Sequence, residues 1–222
     1  MLSLGGTRGF AFAALTSTAL GVAVTHAGQD AKAPSDTPIT AIYKIERIEF
    51  AYKSPNIRYA CESLQKRTRQ ILEAVGAYPK MVVEVKNCQR QEQVRHAEMV
   101  VTFAMPVEAT EENIRAMVDF DSRDELVARV RKEHLPSAED VQRFPATWRS
   151  VTLSGSAPLK LAAGDCDLLR VMRDEVFPRL NVRVVGSGMN CGAGPDTRIM
   201  PRIRVYALMP EKLGSEENSK DI

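Results

Sequence analysis

The sequence CESLQKRTRQILEAVGAYPKMVVEVKNC at residues 61–88 has a counterpart at residues 166–191, CDLLRVMRDEVFPRLNVRVVGSGMNC. Each stretch begins with a cysteine and an acidic residue, continues through a helix and a valine-rich strand, and ends in Asn-Cys. The helical spacing places one apolar stripe on each helix, formed by Leu64, Ile71, Leu72 and Val75 in the first copy and by Leu169, Met172 and Val176 in the second. This repeat predicts two units with the same local fold.

Further strands flank both copies. Residues 39–52 precede the first copy and residues 98–105 follow it, with Pro106 expected to end the strand. In the second copy, Val151 and Leu153 alternate with polar residues, and the last strand covers residues 202–208. We therefore predict an α+β protein of two tandem β-α-β-β units, each with a helix packed on a small mixed sheet.

These patterns also divide the chain into segments. The expected order is a signal peptide at 1–27, a flexible tether at 28–38, a first unit at 39–106, a helical connector at 107–147, a second unit at 148–210 and a disordered tail at 211–222. Whether the two units form one domain or two stays open.

The connector has no counterpart in the second copy. A short helix is expected over residues 111–118, and Ser122 and Ser137 each begin a capping box that predicts a further helix. Because Leu126, Val127 and Val130 make the middle helix apolar, we expect it to pack on the units. The alternative is a linker between two domains.

Four cysteines favour a disulfide framework in an exported chain. A helix of about 15 residues is about 22 Å long, and the strand that follows it returns by a similar distance. This geometry brings the second cysteine of each copy back to the first, which predicts Cys61–Cys88 and Cys166–Cys191. A four-cysteine zinc site would need close cysteine pairs, which the sequence lacks.

The N-terminus has the pattern of a secretory signal peptide. Arg8 precedes an apolar run over residues 10–24, and small residues lead to a cleavage site after Ala27. A retained membrane anchor is the alternative. The sequence contains no N-x-Ser/Thr site, which favours a bacterial periplasm over an extracellular location reached by a glycosylating route. We expect no membrane span after cleavage.

Catalytic patterns are weak. His96 and His134 are the only histidines beyond the signal peptide, and the sequence places neither beside a nucleophile. The glycine-rich residues 186–194 lead to a strand and lack a phosphate-loop fingerprint. Asp165 and Asp167 are explained as helix N-terminal charge, with Asp165 as the N-cap. We predict no catalytic residue, no metal site and no cofactor.

One strand face is the best candidate for binding. Arg202, Arg204 and Tyr206 alternate with apolar residues, and Arg183 lies on the neighbouring strand. A sheet face that is exposed to solvent and binds no partner would show the same alternation. The net charge of +2 gives no reason to expect nucleic acid, so we expect a protein or an anionic envelope component as the partner.

These features favour an exported, non-catalytic binding protein. The alternative function is a small hydrolase that uses carboxylates in a cleft between the units. Self-association through a sheet edge is a third possibility.

Overall fold

The computed structural model describes residues 34–55, 57–86, 88, 92–186, 189, 191 and 200–211. The fold is mixed α/β. Its main sheet has six strands in the order β3-β5-β1-β6-β8-β7. These strands are β1 (Ile39–Lys53), β3 (Val82–Lys86), β5 (His96–Glu108), β6 (Phe144–Leu153), β7 (Arg183–Val184) and β8 (Ile203–Pro210). The described strand pairings are all antiparallel, so the prediction of mixed sheets is wrong.

The first half of the fold follows the predicted order of elements. Helix α1 (Cys61–Ala74) follows β1, and β3 and β5 come next in the chain. Strand β5 lies between β1 and β3, and it pairs with β1 over thirteen positions from Ala41↔Glu108 to Lys53↔His96. A small separate sheet, β2 (Tyr59–Ala60) with β4 (Gln93–Val94), was not predicted.

The second half of the chain, from β6 to β8, has less regular helical structure. Helix α4 (Cys166–Val171) continues as a π-helical turn, Met172–Val176, and a 3₁₀ turn, Phe177–Leu180. Its predicted stripe is buried, with Leu169 and Met172 fully inaccessible to solvent. Strand β8 then lies between β6 and β7.

The two halves join where β1 meets β6. Only three residue pairs make this junction, from Ile39↔Ala146 to Ala41↔Phe144. Strand β6 begins at Phe144, four residues before the predicted start at Trp148, and the first three of these four residues pair with β1. Core residues of both halves belong to one hydrophobic cluster, which includes Tyr52, Leu64, Leu72, Leu153, Leu169 and Val205.

Both predicted disulfides are present. Cys61 is bonded to Cys88, with their Cα atoms 6.1 Å apart, and Cys166 is bonded to Cys191 at 5.8 Å. In each half the bridge ties the first residue of a helix to the chain beyond the strand that follows it. This confirms the argument that the strand returns over the length of the helix.

Pro106 does not end its strand. It lies inside β5, opposite Tyr43 of β1. The pairing of β5 with β3 stops at Thr102, so Pro106 has a strand neighbour on one side only. Proline is tolerated at such an edge because no ladder hydrogen bond is needed there.

The connector forms two helices, α2 (Glu111–Val118) and α3 (Ser122–Arg131). The helix predicted from the box at Ser137 is absent from residues 132–143: Asp140 instead accepts hydrogen bonds from the amide and hydroxyl of Ser137, both at 2.7 Å, within a turn. The expected packing of α3 is also wrong. Leu126, Val127 and Val130 are exposed, and Ala128 is the one buried residue of this helix.

Three predictions fall on chain outside the described residues. They are the signal peptide at 1–27, the first part of the tether, and the tail from residue 212 onward. Among the helices that are described, none is long and apolar enough to cross a membrane.

Gly76 ends α1 against the second half of the fold. Its φ of +97° is a left-handed conformation, and a Cβ at this position would lie 2.8 Å from the carbonyl oxygen of Leu208 and 3.0 Å from the sulfur of Met209. Gly186 also has a positive φ, +72°, but a Cβ there would meet nothing within 4 Å. Substitution of Gly186 therefore measures the cost of backbone strain alone, whereas substitution of Gly76 adds the cost of a steric clash.

We predict that Gly76→Ala lowers the free energy of unfolding more than Gly186→Ala. Both variants should lose about 1 kcal/mol because alanine resists a positive φ. Gly76→Ala should lose about 2 kcal/mol more, because the methyl group overpacks the backbone of β8. Urea denaturation of the two variants measures this difference. Equal losses would show that the approach of α1 to β8 adjusts freely.

Candidate binding face

The predicted binding residues lie on the face of the sheet opposite the main core. Arg183 of β7 pairs directly with Tyr206 of β8. Arg202 and Arg204 are exposed, whereas the alternating Ile203, Val205 and Ala207 are at most 1% exposed. Residues that pair across neighbouring strands, and alternate residues along one strand, point to the same face, so these four side chains lie on one face of the sheet.

Trp148 joins this group from β6. The guanidinium carbon of Arg183 lies 4.8 Å from the centre of the Trp148 ring, within the range of a cation–π contact. Trp148 lies on β6 and Arg183 lies on β7, with β8 between them. The contact between the two side chains therefore crosses over β8. We call Trp148, Arg183, Arg202, Arg204 and Tyr206 the docking face.

An aromatic band continues from the docking face toward the first half. The rings of Tyr43 and Phe144 lie 4.6 Å apart, and those of Tyr43 and Tyr78 lie 5.2 Å apart. Phe144 and Trp148 both pack on a small buried cluster of Ala41, Ala146 and Leu208 at the strand junction. The open face thus combines aromatic surface with positive charge.

No described residue neutralises the positive charge of the docking face. Within the described part of the chain, Arg183, Arg202 and Arg204 make no ion pair and no hydrogen bond through their guanidinium groups. Their neighbours on β6 are the uncharged Ser150 and Thr152. Three guanidinium groups are therefore available to an anion.

Asp165 has a different role from the predicted N-cap. Its side chain is 2% exposed and makes no capping bond to α4; it pairs with Nε of Arg67 at 3.1 Å and accepts a hydrogen bond from the amide of Ala162 at 2.7 Å. Arg67 also donates to the Leu159 carbonyl at 3.0 Å and to Gln70 at 3.1 Å. This buried ion pair connects α1 to the loop before α4.

Burial raises the pKa of Asp165 to about 6, while the Ala162 amide acts in the opposite direction. The nearby Arg67 guanidinium also favours the ionised form. We consider burial the stronger influence, because the carboxylate is almost completely removed from water.

Tyr52 and Asp167 extend the buried polar cluster. Ser54 donates its one hydroxyl proton to Asp167 at 2.6 Å and accepts from the amide of Ile57 at 2.9 Å. Among the described residues, the Tyr52 hydroxyl is the one buried side-chain polar atom without a hydrogen-bond partner. The pKa of Tyr52 is raised, chiefly by burial, although the Ser54 hydroxyl acts in the opposite direction.

Arg67 of this cluster lines a groove, but Asp165 and Asp167 do not line the spaces found among the described residues. Two adjoining grooves of about 380 and 350 Å³ lie beside α1, and Glu73 is the one carboxylate that lines them. A larger space of about 580 Å³ lies along α2, where Glu111, Glu112 and Asp119 are all exposed. His96 and His134 are exposed as well. These spaces do not bring together the buried carboxylates that the hydrolase alternative needs.

Among the described residues, one group has the spacing of metal ligands: Cys61, Cys88 and Glu92. The two sulfur atoms are bonded to each other and are not thiolates. This group therefore offers a single carboxylate, and we do not interpret it as a metal site.

Sequence reasoning missed Trp148. It has the same two-residue phase as Ser150 and Thr152, so the alternation along β6 already placed it on the polar face. Its contact with Arg183 depends on the order of strands, which the repeat alone did not provide.

The pH dependence of stability provides a test of the Asp165 environment. A folded-state pKa of about 6, above the ordinary 3.8, means that the folded chain binds more protons than the unfolded chain between these values. The stability of the native protein should therefore fall by about 3 kcal/mol relative to Asp165→Asn as pH rises from about 4 to about 6, and the difference should then stay constant.

Urea denaturation of both proteins between pH 3 and pH 8 measures this difference. If the ion pair with Arg67 outweighed burial, the difference would instead be constant above pH 4 and would change in favour of the native protein between about pH 2 and pH 4.

The site as a whole offers flat aromatic surface and unpaired guanidinium groups. The carboxylates of Asp165 and Asp167 are held in contacts with Arg67 and Ser54. Comparison of the chain with protein-family models, curated proteins and solved structures finds no match.

Proposed function

We propose that this protein is an exported, non-catalytic binding protein of the cell envelope that docks an acidic segment of another protein. The observation that supports this most strongly is the set of three arginines on the docking face, next to Trp148 and Tyr206, which no described residue pairs. Arginine, tryptophan and tyrosine are the residues that most often dominate the energy of protein interfaces.

The chemistry of the face suits carboxylates on a macromolecule. Guanidinium groups bind carboxylates through two parallel hydrogen bonds, and such charge-assisted bonds are about twice as strong as neutral ones. The residues lie along neighbouring strands rather than around a pocket. An extended acidic segment can follow such a flat surface, whereas a small ligand would be poorly enclosed there.

Two features support export. The chain has two disulfides, which persist in oxidising compartments such as the periplasm. The N-terminal 27 residues have the pattern of a signal peptide. The periplasm fits both features.

The tandem arrangement is part of the proposal. The strand order β3-β5-β1 in the first half corresponds to β7-β8-β6 in the second half, because in each the last strand of the chain lies between the other two. Each half also has one helix and one disulfide at equivalent positions. Both features support an origin from one repeated unit.

We predict that the triple variant Arg183→Ser, Arg202→Ser, Arg204→Ser loses affinity for poly-L-glutamate by about 100-fold or more, because each charge-assisted contact contributes about 1 kcal/mol or more. Trp148 is the single tryptophan of the chain, so its fluorescence reports binding at the docking face directly. The measurement is a fluorescence titration at two salt concentrations, since ionic binding must weaken as salt increases.

The matched control is Arg69→Ser, Arg95→Ser, Arg143→Ser. It removes the same charge from three exposed arginines outside the docking face and should keep most of the affinity. Equal losses in the two triple variants would show that only net charge matters. An unchanged Trp148 emission at saturation would place the ligand elsewhere. Either result would contradict the proposal.

A further inference from the structure

The two adjoining grooves beside α1 form one concave space. They have volumes of about 380 and 350 Å³ and share Gln70, Pro158 and Leu159 in their lining. One wall is α1, and the other is the segment 158–160 from the second half of the chain. We call this space the α1 groove. Its volume is in the range of small-ligand sites, in contrast to the flat docking face.

Arg67 holds the two walls of the α1 groove together. Its Nη1 donates to the Leu159 carbonyl at 3.0 Å and to Oε1 of Gln70 at 3.1 Å. Its Nε pairs with the buried Asp165 at 3.1 Å. The protein itself therefore fixes the distance between the walls, which lowers the entropic cost of binding a ligand between them.

The backbone of Lys160 is also fixed at the rim of the groove. Its φ of +49° is a left-handed conformation, which is uncommon for residues other than glycine. Two backbone hydrogen bonds maintain it: the Lys160 amide donates to the Ser156 carbonyl at 2.9 Å, and the Leu161 amide donates to the Ser154 carbonyl at 3.0 Å. The lysine therefore extends from a constrained turn on the wall opposite α1.

The α1 groove is positive at one end and negative at the other. Lys66 and Lys160 line the first end from opposite walls, and Glu73 lines the second end. Within the described part of the chain, the charged groups of these three residues make no ion pair and no hydrogen bond. Lys66 and Glu73 are seven residues apart in α1, so they lie on one side of the helix and about 10 Å apart along its axis.

The other charged residues near the groove leave this polarity unchanged. Arg67 is paired with Asp165, so the two together add no net charge at neutral pH. Glu62 and Arg69 lie on the neighbouring side of α1 and line neither part of the groove. The groove therefore fits a ligand that carries an anion at one end and a cation at the other.

We infer that the α1 groove binds a short peptide of about three residues with free amino and carboxyl ends. The peptide carboxylate lies between Lys66 and Lys160, and the peptide ammonium group lies at Glu73. Three residues in extended conformation span about 10 Å, which matches the separation of Lys66 and Glu73 along α1. This ligand differs from the acidic segment proposed for the docking face and uses a different part of the fold.

The middle of the groove suits the backbone and small side chains of such a peptide. Gln70 lies between Lys66 and Glu73 and lines both parts of the groove. Because its Oε1 accepts from Arg67, its amide NH₂ group remains to donate to a peptide carbonyl. Apolar contacts for small side chains come from three further lining residues: Ala74, Pro158 and Leu159.

An NMR titration of the isotope-labelled protein with tri-L-alanine and its two blocked forms tests the inference. Both ends of tri-L-alanine are charged at neutral pH, and it should bind the native protein. N-acetylation removes the positive end, and C-terminal amidation removes the negative end. Each should weaken binding about 10-fold, because each removes a hydrogen bond to a charged group.

Three variants assign the two ends of the peptide. Lys66→Gln with Lys160→Gln should bind tri-L-alanine about 10-fold more weakly and should not respond further to amidation. Glu73→Gln should show a similar loss and should not respond further to acetylation. Such non-additivity is the sign of a direct contact. The matched control, Lys80→Gln with Lys86→Gln, removes the same charge from exposed lysines outside the groove and should bind as the native protein does.

Four outcomes would overturn the inference. They are no binding of tri-L-alanine up to about 10 mM, equal losses in the two double-lysine variants, variants that respond to blocking as the native protein does, and sensitivity to amidation without sensitivity to acetylation. The last result would mean that the groove takes a simple anion. Urea denaturation checks that each variant is folded. The triple arginine variant of the docking face should bind tri-L-alanine normally, which separates this inference from the proposed function.

Discussion

Three residue pairs between β1 and β6 hold the two halves of the main sheet together. The rest of the architecture depends on them, because the pairing joins two three-stranded sheets and fixes which face of each half is open. One side of the sheet contributes to the core that includes α1 and α4. The other side carries the aromatic band that starts at the junction and leads to the docking face. Gly76 adds a close backbone contact between the halves, because a Cβ at this position would lie 2.8 Å from the carbonyl oxygen of Leu208 in β8.

Local patterns predicted most of the elements and both disulfides. The apolar stripes of α1 and α4 and the strand alternation in β8 each depend on a period that tertiary structure did not change. The docking residues were found for the same reason, since alternation alone places Arg202, Arg204 and Tyr206 together. Contacts between the halves were beyond this reasoning. Pro145 interrupts the strand pattern at the start of β6, so the residues that make the junction were not predicted to form a strand.

The errors have physical causes that the sequence alone does not reveal. Ser137 and Asp140 form the hydrogen bonds of a capping box without a helix, because the same side-chain contacts stabilise an isolated turn. The apolar residues of α3 were predicted to pack on the units, yet Ala128 is the one buried residue among the described residues of this helix. A sequence pattern identifies an apolar side without naming what covers it. Asp165 was expected to cap α4, but a buried carboxylate needs a cation, and Arg67 approaches it from the other half of the chain.

The two kinds of arginine in this protein show how position decides function. Arg67 gives its guanidinium group to Asp165, Gln70 and the Leu159 carbonyl, so it has little capacity left for a ligand although it lines a groove. Arg183, Arg202 and Arg204 lie on a face whose neighbours are Ser150, Thr152 and aromatic rings, and none of these can neutralise a guanidinium charge. A charge that is buried must be paired for the chain to fold. A charge that stays in water needs no partner, so the docking face can present three guanidinium groups without a described partner at little cost to stability.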